Sequence, residues 1–85
     1  MENKEIARIL TETADLLEVA GEDSFRIRSY RNAVQAIENL SESLADIAAD
    51  PERKLTDLPA IGKGMAAHIE ELTRTGKLEL HQELL

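Results

Sequence analysis

The sequence has no cysteine and no tryptophan, and it contains one tyrosine and one phenylalanine among 85 residues. Without cysteine the chain forms neither disulfides nor thiolate zinc sites, which suits a reducing compartment such as the cytoplasm. Aromatic residues make up 2% and hydrophobic residues 42% of the chain, so its core must be built from aliphatic side chains. Abundant alanine and leucine favour helices for that core.

Long hydrophobic runs are also missing. No apolar run approaches the roughly 18 consecutive residues of a membrane-spanning helix. The first residues, Met1 to Glu5, do not resemble a signal peptide. We therefore expect no membrane partner. The length corresponds to a single small domain, residues 1–85, which is too short for a polymerase or nuclease catalytic fold.

Positive charge is scarce, since ten Lys and Arg face seventeen Asp and Glu for a net charge of −7. An acidic chain repels nucleic acid at long range. The acid is unevenly distributed: residues 1–25 carry seven acidic and two basic side chains, whereas residues 51–85 carry six and five. Arg26, Arg28 and Arg31 place three positive charges within six residues. They are either scattered surface arginines or a strip that faces phosphate.

Apolar spacing predicts four helices and no strand. Their predicted bounds are Asn3 to Val19, Phe25 to Asn39, Ser41 to Ala48 and Gly62 to Thr75. Asn3 and Ser24 are the expected N-caps of the first two helices, Asp50-Pro51 ends the third, and Gly76 is a left-handed stop after the fourth. The remaining residues are expected to fray after a turn or two, and His81 among them has no evident role. The predicted fold class is all-α, a four-helix antiparallel bundle.

The stretch from Leu58 to Ile69 is typical of a tight turn that runs directly into the fourth helix. Pro59 presets the turn, and Gly62 relieves crowding where backbone amides must be exposed. The start of the helix then presents free N–H groups and the positive end of the helix dipole. Such an arrangement attracts an anion, and phosphate is the usual one.

Three segments of the chain resemble a known family. The pattern Leu58-Pro59-x-Ile61-Gly62-x-Gly64-x-Ala66-x-x-Ile69 is similar to a helix-hairpin-helix motif. Phe25-Arg26-x-Arg28-x-Tyr30-Arg31-x-Ala33 lies upstream of it, and Thr75-Gly76-Lys77-Leu78 lies downstream. Together they resemble the N-terminal, lyase-type domain of family X DNA polymerases of the DNA polymerase beta kind, especially its bacterial members. The resemblance extends from about Lys4 to Leu84.

This resemblance implies a module that binds gapped or nicked DNA through its backbone, without reading sequence, during repair. The residues implied to contact phosphate are Gly62, Lys63, Gly64, Met65, His68, Arg26, Arg28, Tyr30, Arg31 and Lys77. A monovalent cation, K⁺ or Na⁺, is implied at the backbone carbonyls of Thr56, Leu58 and Ile61, and no other cofactor is required. Polymerase or nuclease domains of the same or another chain are the further implied partners.

Four positions depart from the family pattern, and two of them are Thr56 and Asp57, where the eukaryotic members often have basic residues. The lysine that forms a Schiff base in the lyase members falls on His68, and an imidazole does not form the stable imine that a lysine amine forms. The chain is therefore not expected to be an enzyme, although Lys63 is close enough in sequence to substitute weakly. Ala60 stands where glycine is usual. The turn then either holds alanine at a positive φ, at a cost of about 1 kcal/mol, or changes to type I.

Three functions stay open on the sequence alone. The first is DNA backbone binding by the hairpin. The second is a protein-interaction or packing domain that has lost DNA binding, which the net charge of −7, Ala60 and Asp57 favour. The third is a lyase acting on 5′-phosphates at abasic sites, which His68 disfavours.

Overall fold

The computed structural model describes all 85 residues, Met1 to Leu85, as an all-α fold. Its helices are α1 (Asn3–Val19), α2 (Ser24–Glu38), α3 (Leu44–Ala49), α4 (Lys63–Thr75) and α5 (Glu79–Leu84). A 3₁₀ turn, Leu55–Asp57, precedes the hairpin that enters α4. The all-α prediction is confirmed, but the fold has five helices where four were expected. None of the five combines the length and the apolar character needed to span a bilayer.

Two helix pairs meet around one hydrophobic core. Since only a short turn joins α1 to α2, they pack side by side as antiparallel neighbours. In the second pair α3 packs on α4, while α2 touches α4 and α5 lies against α1. Eighteen buried side chains fill the core, and Tyr30 is the only aromatic among them. The aliphatic core expected from the composition is therefore present.

The second and third helices begin differently from the prediction. Asp23, not Ser24, caps α2, because its carboxylate accepts the amide of Phe25 at 2.9 Å. The third helix was predicted to begin at Ser41, but α3 begins at Leu44 and Ser43 caps it. In both places neighbouring residues offer equivalent capping oxygens, so local sequence does not select between them.

Asn3 lies inside the first turn of α1 and does not cap it. Its side-chain amide donates to the carbonyl of Glu42 at 2.7 Å, and its side-chain oxygen accepts the amide of Leu44 at 2.8 Å. The prediction of an Asn3 cap is therefore wrong. Asn3 instead joins the beginning of α1 to the beginning of α3.

The C-terminal residues form α5, so the expectation that they fray is wrong. Leu78, just before α5, is 1% exposed and anchors the segment in the core. His81 is also buried, and its Nε2 lies 3.0 Å from Oε1 of Glu12 on α1. Hydrogen bonds from His81, and secondly from Arg8, hold the pKa of the Glu12 carboxyl below its usual range.

Ala60 in the hairpin turn has a left-handed backbone conformation. The amide of Ile61 donates to the carbonyl of Leu58 at 3.3 Å, which closes a turn with Pro59 and Ala60 at its centre. Ala60 has a φ of 65°, as the third position of a type II turn requires. Gly76 after α4 has a φ of 78°, which confirms the predicted stop.

We expect Ala60→Gly to stabilise the fold by about 0.5 to 1 kcal/mol, because relief of the left-handed alanine outweighs the added flexibility of glycine in the unfolded chain. The melting temperature followed by circular dichroism should rise by a few degrees. Ala67→Gly is the matched control: Ala67 is exposed within α4, and its replacement should cost about 1 kcal/mol. A lower melting temperature for Ala60→Gly than for the original chain would contradict strain at this turn.

Candidate nucleic-acid interface

The beginning of α4 presents a row of free backbone amides. The amides of Gly62, Lys63, Gly64 and Met65 donate no hydrogen bond within the chain, and no side chain caps this end of the helix. The first bond of the helix runs from the amide of Ala66 to the carbonyl of Gly62, at 2.8 Å. Four unpaired donors at the positive end of a helix dipole form a favourable environment for an anion.

The two hairpin glycines face open space. A Cβ atom built on Gly62 or Gly64 would meet no atom within 4 Å. Gly62 has an extended backbone, with φ −85° and ψ −176°, which any residue adopts. Gly62 was expected to relieve crowding where the amides are exposed, and its surroundings are indeed open, whereas the left-handed backbone conformation belongs to Ala60. What the glycines provide is room for another molecule to approach the amides.

These amides lie beside a groove of about 700 Å³ between the hairpin and α2. Six of the residues that the resemblance implies line it: Arg26, Tyr30, Gly62, Gly64, Met65 and His68. The rest of its lining consists of Ser29, Asn32, Ala60 and Ile61, so no carboxylate faces the groove. In an acidic chain, this groove is lined by hydrogen-bond donors and by positive or neutral groups.

Ser29 and Asn32 are groove residues that the sequence reasoning missed. With Arg26 they follow a spacing of three residues along α2, which places all three on one helical face. That periodicity was readable in the sequence. Because Ser29 and Asn32 are uncharged, the charge pattern of α2 does not reveal them.

A buried tyrosine connects α2 to α4 at the floor of the groove. The hydroxyl of Tyr30 and Nε2 of His68 share a hydrogen bond of 3.0 Å. Their ring centroids are 5.6 Å apart and tilted by 58°. Tyr30 is only 3% exposed, whereas His68 is half-buried, so the tyrosine fixes the orientation of the imidazole.

His68 is held in its neutral form. Burial is the main cause that lowers the pKa of its imidazole below the usual 6.5, and the positive charge of Arg26 acts in the same direction. Glu71 opposes both. Near neutral pH the groove therefore contains one permanent positive charge, on Arg26, and one titratable group, on His68.

The three arginines of α2 have separate environments. Arg26 lines the groove and lies 3.8 Å from the carboxylate of Glu22, which is a long ion pair between exposed groups. Arg28 lies outside the groove lining, with its guanidinium 5.9 Å from the ring centroid of the exposed Phe25. The structure thus places Arg26 at the groove, while Arg28 lies on α2 outside the groove lining.

Arg31 is engaged with α1. Its guanidinium donates to Asp15 at 2.9 Å and to Glu18 at 3.1 Å, and these bonds, Asp15 first, raise its pKa. Because those carboxylates belong to the most acidic part of the sequence, Arg31 serves the contact between α1 and α2. It does not line the groove.

The two lysines lie at opposite ends of α4. Lys63 is its first residue and is exposed beside the free amides. Lys77 follows Gly76 at the other end, about 20 Å away for a helix of this length. Its amide donates to the hydroxyl of Thr75 at 3.2 Å. The structure therefore brings Lys63, but not Lys77, to the hairpin.

The three carbonyls that the resemblance implies as cation ligands belong to the 3₁₀ turn and to the hairpin turn that follows it. Leu58 accepts the amide of Ile61, whereas the carbonyls of Thr56 and Ile61 accept no backbone amide. Neutral oxygens of this kind fit a hard monovalent cation. No group of three or more His, Cys, Asp or Glu side chains is placed to hold another metal ion.

We expect the His68 imidazole to titrate below its usual pKa of 6.5. Arg26→Gln should raise this pKa by removing a repelling charge, and Glu71→Gln should lower it further. Between the lowered pKa and 6.5 the unfolded chain binds more protons than the folded one. The contribution of His68 to stability is thus present above 6.5 and is lost as the pH falls through the folded pKa.

NMR titration of the ring nitrogens between about pH 5 and about pH 8 measures this order. Lys77→Gln, which removes a positive charge at the far end of α4, is the control and should leave the His68 pKa in place. A lower pKa in Arg26→Gln than in the original chain would contradict the assigned role of Arg26.

Known proteins resemble this chain in sequence. A family described as the helix-hairpin-helix domain matches residues 1–78. DNA polymerase lambda of Arabidopsis thaliana is 34% identical over 76 residues, which cover 89% of this chain and 13% of that protein. DNA polymerase/3′-5′ exonuclease PolX of Bacillus subtilis (strain 168) is 31% identical over 77 residues, covering 91% of this chain and 13% of that protein.

The chain thus spans about one eighth of the length of these relatives, 13% in each case. The similarity to family X DNA polymerases that the three sequence segments indicated is confirmed. With the family match covering nearly all of the chain and the hairpin in place before α4, the protein belongs to the helix-hairpin-helix domain family.

Proposed function

We propose that this chain is a DNA-binding module that holds the sugar-phosphate backbone at gaps or nicks without reading sequence. The observation that carries the proposal is the row of free amides at the start of α4, which opens on a groove without carboxylates. The names of both relatives, which are DNA polymerases, support the choice of DNA as the polyanion.

The groove offers the phosphate two kinds of donor. The amides of Lys63 to Met65 belong to the first turn of α4 and that of Gly62 to its N-cap, so they would hold a phosphoryl oxygen without loss of side-chain freedom. Arg26 in the groove and Lys63 at its edge add positive charge. Donors of this kind contact phosphates and not base edges, so the module would position DNA without selecting its sequence.

The net charge of −7 limits how tightly such a module binds. The carboxylates near α1 repel the duplex, so attraction is confined to the hairpin side. We expect a dissociation constant between about 10⁻⁴ and 10⁻⁶ M that weakens steeply with salt, as for other sequence-independent binders.

A monovalent cation and further domains complete the proposal. K⁺ or Na⁺ would be held by the carbonyls of Thr56, Leu58 and Ile61, of which the first and last accept no backbone amide. Because the relatives are much longer, polymerase or nuclease domains, in the same chain or another, would act on the DNA that this module positions. A cysteine-free chain needs no oxidising compartment, so we place this work in the cytoplasm.

Lys63→Glu should weaken binding to gapped duplex by at least about tenfold and reduce the salt dependence of binding, because it replaces a phosphate contact with a repulsion. Fluorescence anisotropy with gapped, nicked and intact duplexes over a series of salt concentrations measures both effects. Amide chemical-shift changes confined to Gly62 through Met65 would locate the contact.

Lys4→Glu is the matched control, since it makes the same charge change on exposed α1, outside the groove. It should reduce affinity far less. Gly64→Ala separates binding from folding: alanine should favour the helix by up to about 1 kcal/mol, yet its methyl group stands where the phosphate would lie. Equal losses in Lys4→Glu and Lys63→Glu, or no binding at low salt, would exclude the hairpin as the DNA site. A protein-docking role would then be favoured.

We also propose that the chain has no abasic-site lyase activity, because His68 provides no amine at the position beside Tyr30. His68→Lys should introduce a trappable intermediate: its amine would condense with the sugar aldehyde to an imine, releasing water, and borohydride would reduce this imine to a stable secondary amine. Gel-shift trapping on an incised abasic duplex measures the adduct. Lys63→Gln serves as control, because trapping in the original chain that disappears in this variant would assign lyase chemistry to Lys63 instead.

A further inference from the structure

We propose that phosphate binding in the groove is coupled to protonation of His68, so that the module takes up a proton when it engages DNA. This inference rests on the proposed function and adds a regulation to the same site. The affinity of the module for DNA would then depend on pH in a range where the DNA backbone itself does not titrate.

The imidazole of His68 lies in the groove that would hold the phosphate. His68 lines the groove together with Arg26, Gly62 and Gly64, so a phosphate held by the amides lies within reach of the imidazole. Nε2 is fixed on the hydroxyl of Tyr30 at 3.0 Å, and this is the only hydrogen bond that the ring makes. Nδ1 therefore remains available as a second donor if the ring is protonated.

Charged groups of opposite sign act on the His68 ring. Arg26 on α2 opposes protonation, Glu71 on α4 favours it, and the Tyr30 hydroxyl is neutral. The carboxylate of Glu22, 3.8 Å from Arg26, offsets part of the guanidinium charge. Burial has the largest effect on the ring, and the net result is a His68 pKa below 6.5 in the free protein.

A phosphate in the groove reverses this balance. Its negative charge neutralises Arg26 and adds an attraction for the imidazolium, and an opposite charge within about 4 to 6 Å favours the charged form of a titratable group. In the protonated ring both nitrogens carry a hydrogen, so Nε2 donates to the Tyr30 oxygen and Nδ1 has an N–H to donate to the phosphate. By linkage, affinity rises as the pH falls, by at most about tenfold per pH unit for one proton.

Two sources supply the same phosphoryl chemistry. One is a phosphodiester within the DNA strand, and the other is a monoester at a 5′ end. The monoester itself titrates near pH 6, about where histidine does, so its own proton exchange would overlap with that of the protein. A gapped duplex with a 5′-hydroxyl isolates the proton taken up by the protein, and the same duplex with a 5′-phosphate shows whether the end is needed.

The test combines two measurements on the full chain. Anisotropy titrations at about pH 6.0 and about pH 7.5, at constant ionic strength, should give an affinity at least about threefold higher at the lower pH. Isothermal titration calorimetry in two buffers of different ionisation enthalpy should detect net proton uptake. His68→Asn should abolish the uptake. His81→Asn, the matched control, should retain it, since His81 lies against Glu12 on α1 and outside the groove lining.

Each outcome has a distinct meaning. Uptake that His68→Asn removes in both duplexes supports coupling to the backbone phosphodiester, and uptake confined to the 5′-phosphate duplex supports coupling to the end. DNA binding with equal affinity at both pH values, or uptake that persists in His68→Asn, overturns the coupling and leaves the proposed function standing. No binding to either duplex at any pH overturns both.

Discussion

The amides at the beginning of α4 find no partner inside the chain, and the surrounding structure is arranged around that fact. A helix start left uncapped is tolerable only where solvent or a ligand reaches it. The turn from Leu58 to Ile61 brings the chain into the helix abruptly, so that no preceding side chain folds back over the amides. Gly62 and Gly64 then keep the approach clear. The left-handed backbone of Ala60 is the conformational cost of this entry angle.

The charges of the protein are separated in space. Carboxylates concentrate on α1 and the turn that follows it, and two of them bind Arg31. Arg26, only five residues earlier, lines a groove that has no carboxylate among its lining residues, although Glu22 lies 3.8 Å from the Arg26 guanidinium. An acidic protein can therefore present one restricted surface to a polyanion while the remainder repels it. Such a distribution would favour one orientation of a bound polyanion over many.

The contact between Tyr30 and His68 connects the hydrophobic core to the groove. Tyr30 belongs to the core by its ring and reaches the groove by its hydroxyl. The hydroxyl holds the imidazole of His68 on α4, although Tyr30 itself belongs to α2. An imidazole at this place is suited to proton binding near neutral pH.

The sequence by itself determined the helical fold class, the extent of α1, α2 and α4, the hairpin, and the stop at Gly76. These features depend on local spacing and backbone preference, which are readable residue by residue. Only the tertiary structure decided the partners of Asn3, Arg31 and His81, because each pairs with residues 13 or more positions away. It also decided that α5 forms at all, since a helix of six residues is marginal alone and depends on docking against α1. The groove likewise exists only where α2 meets the hairpin, so no single segment contains it.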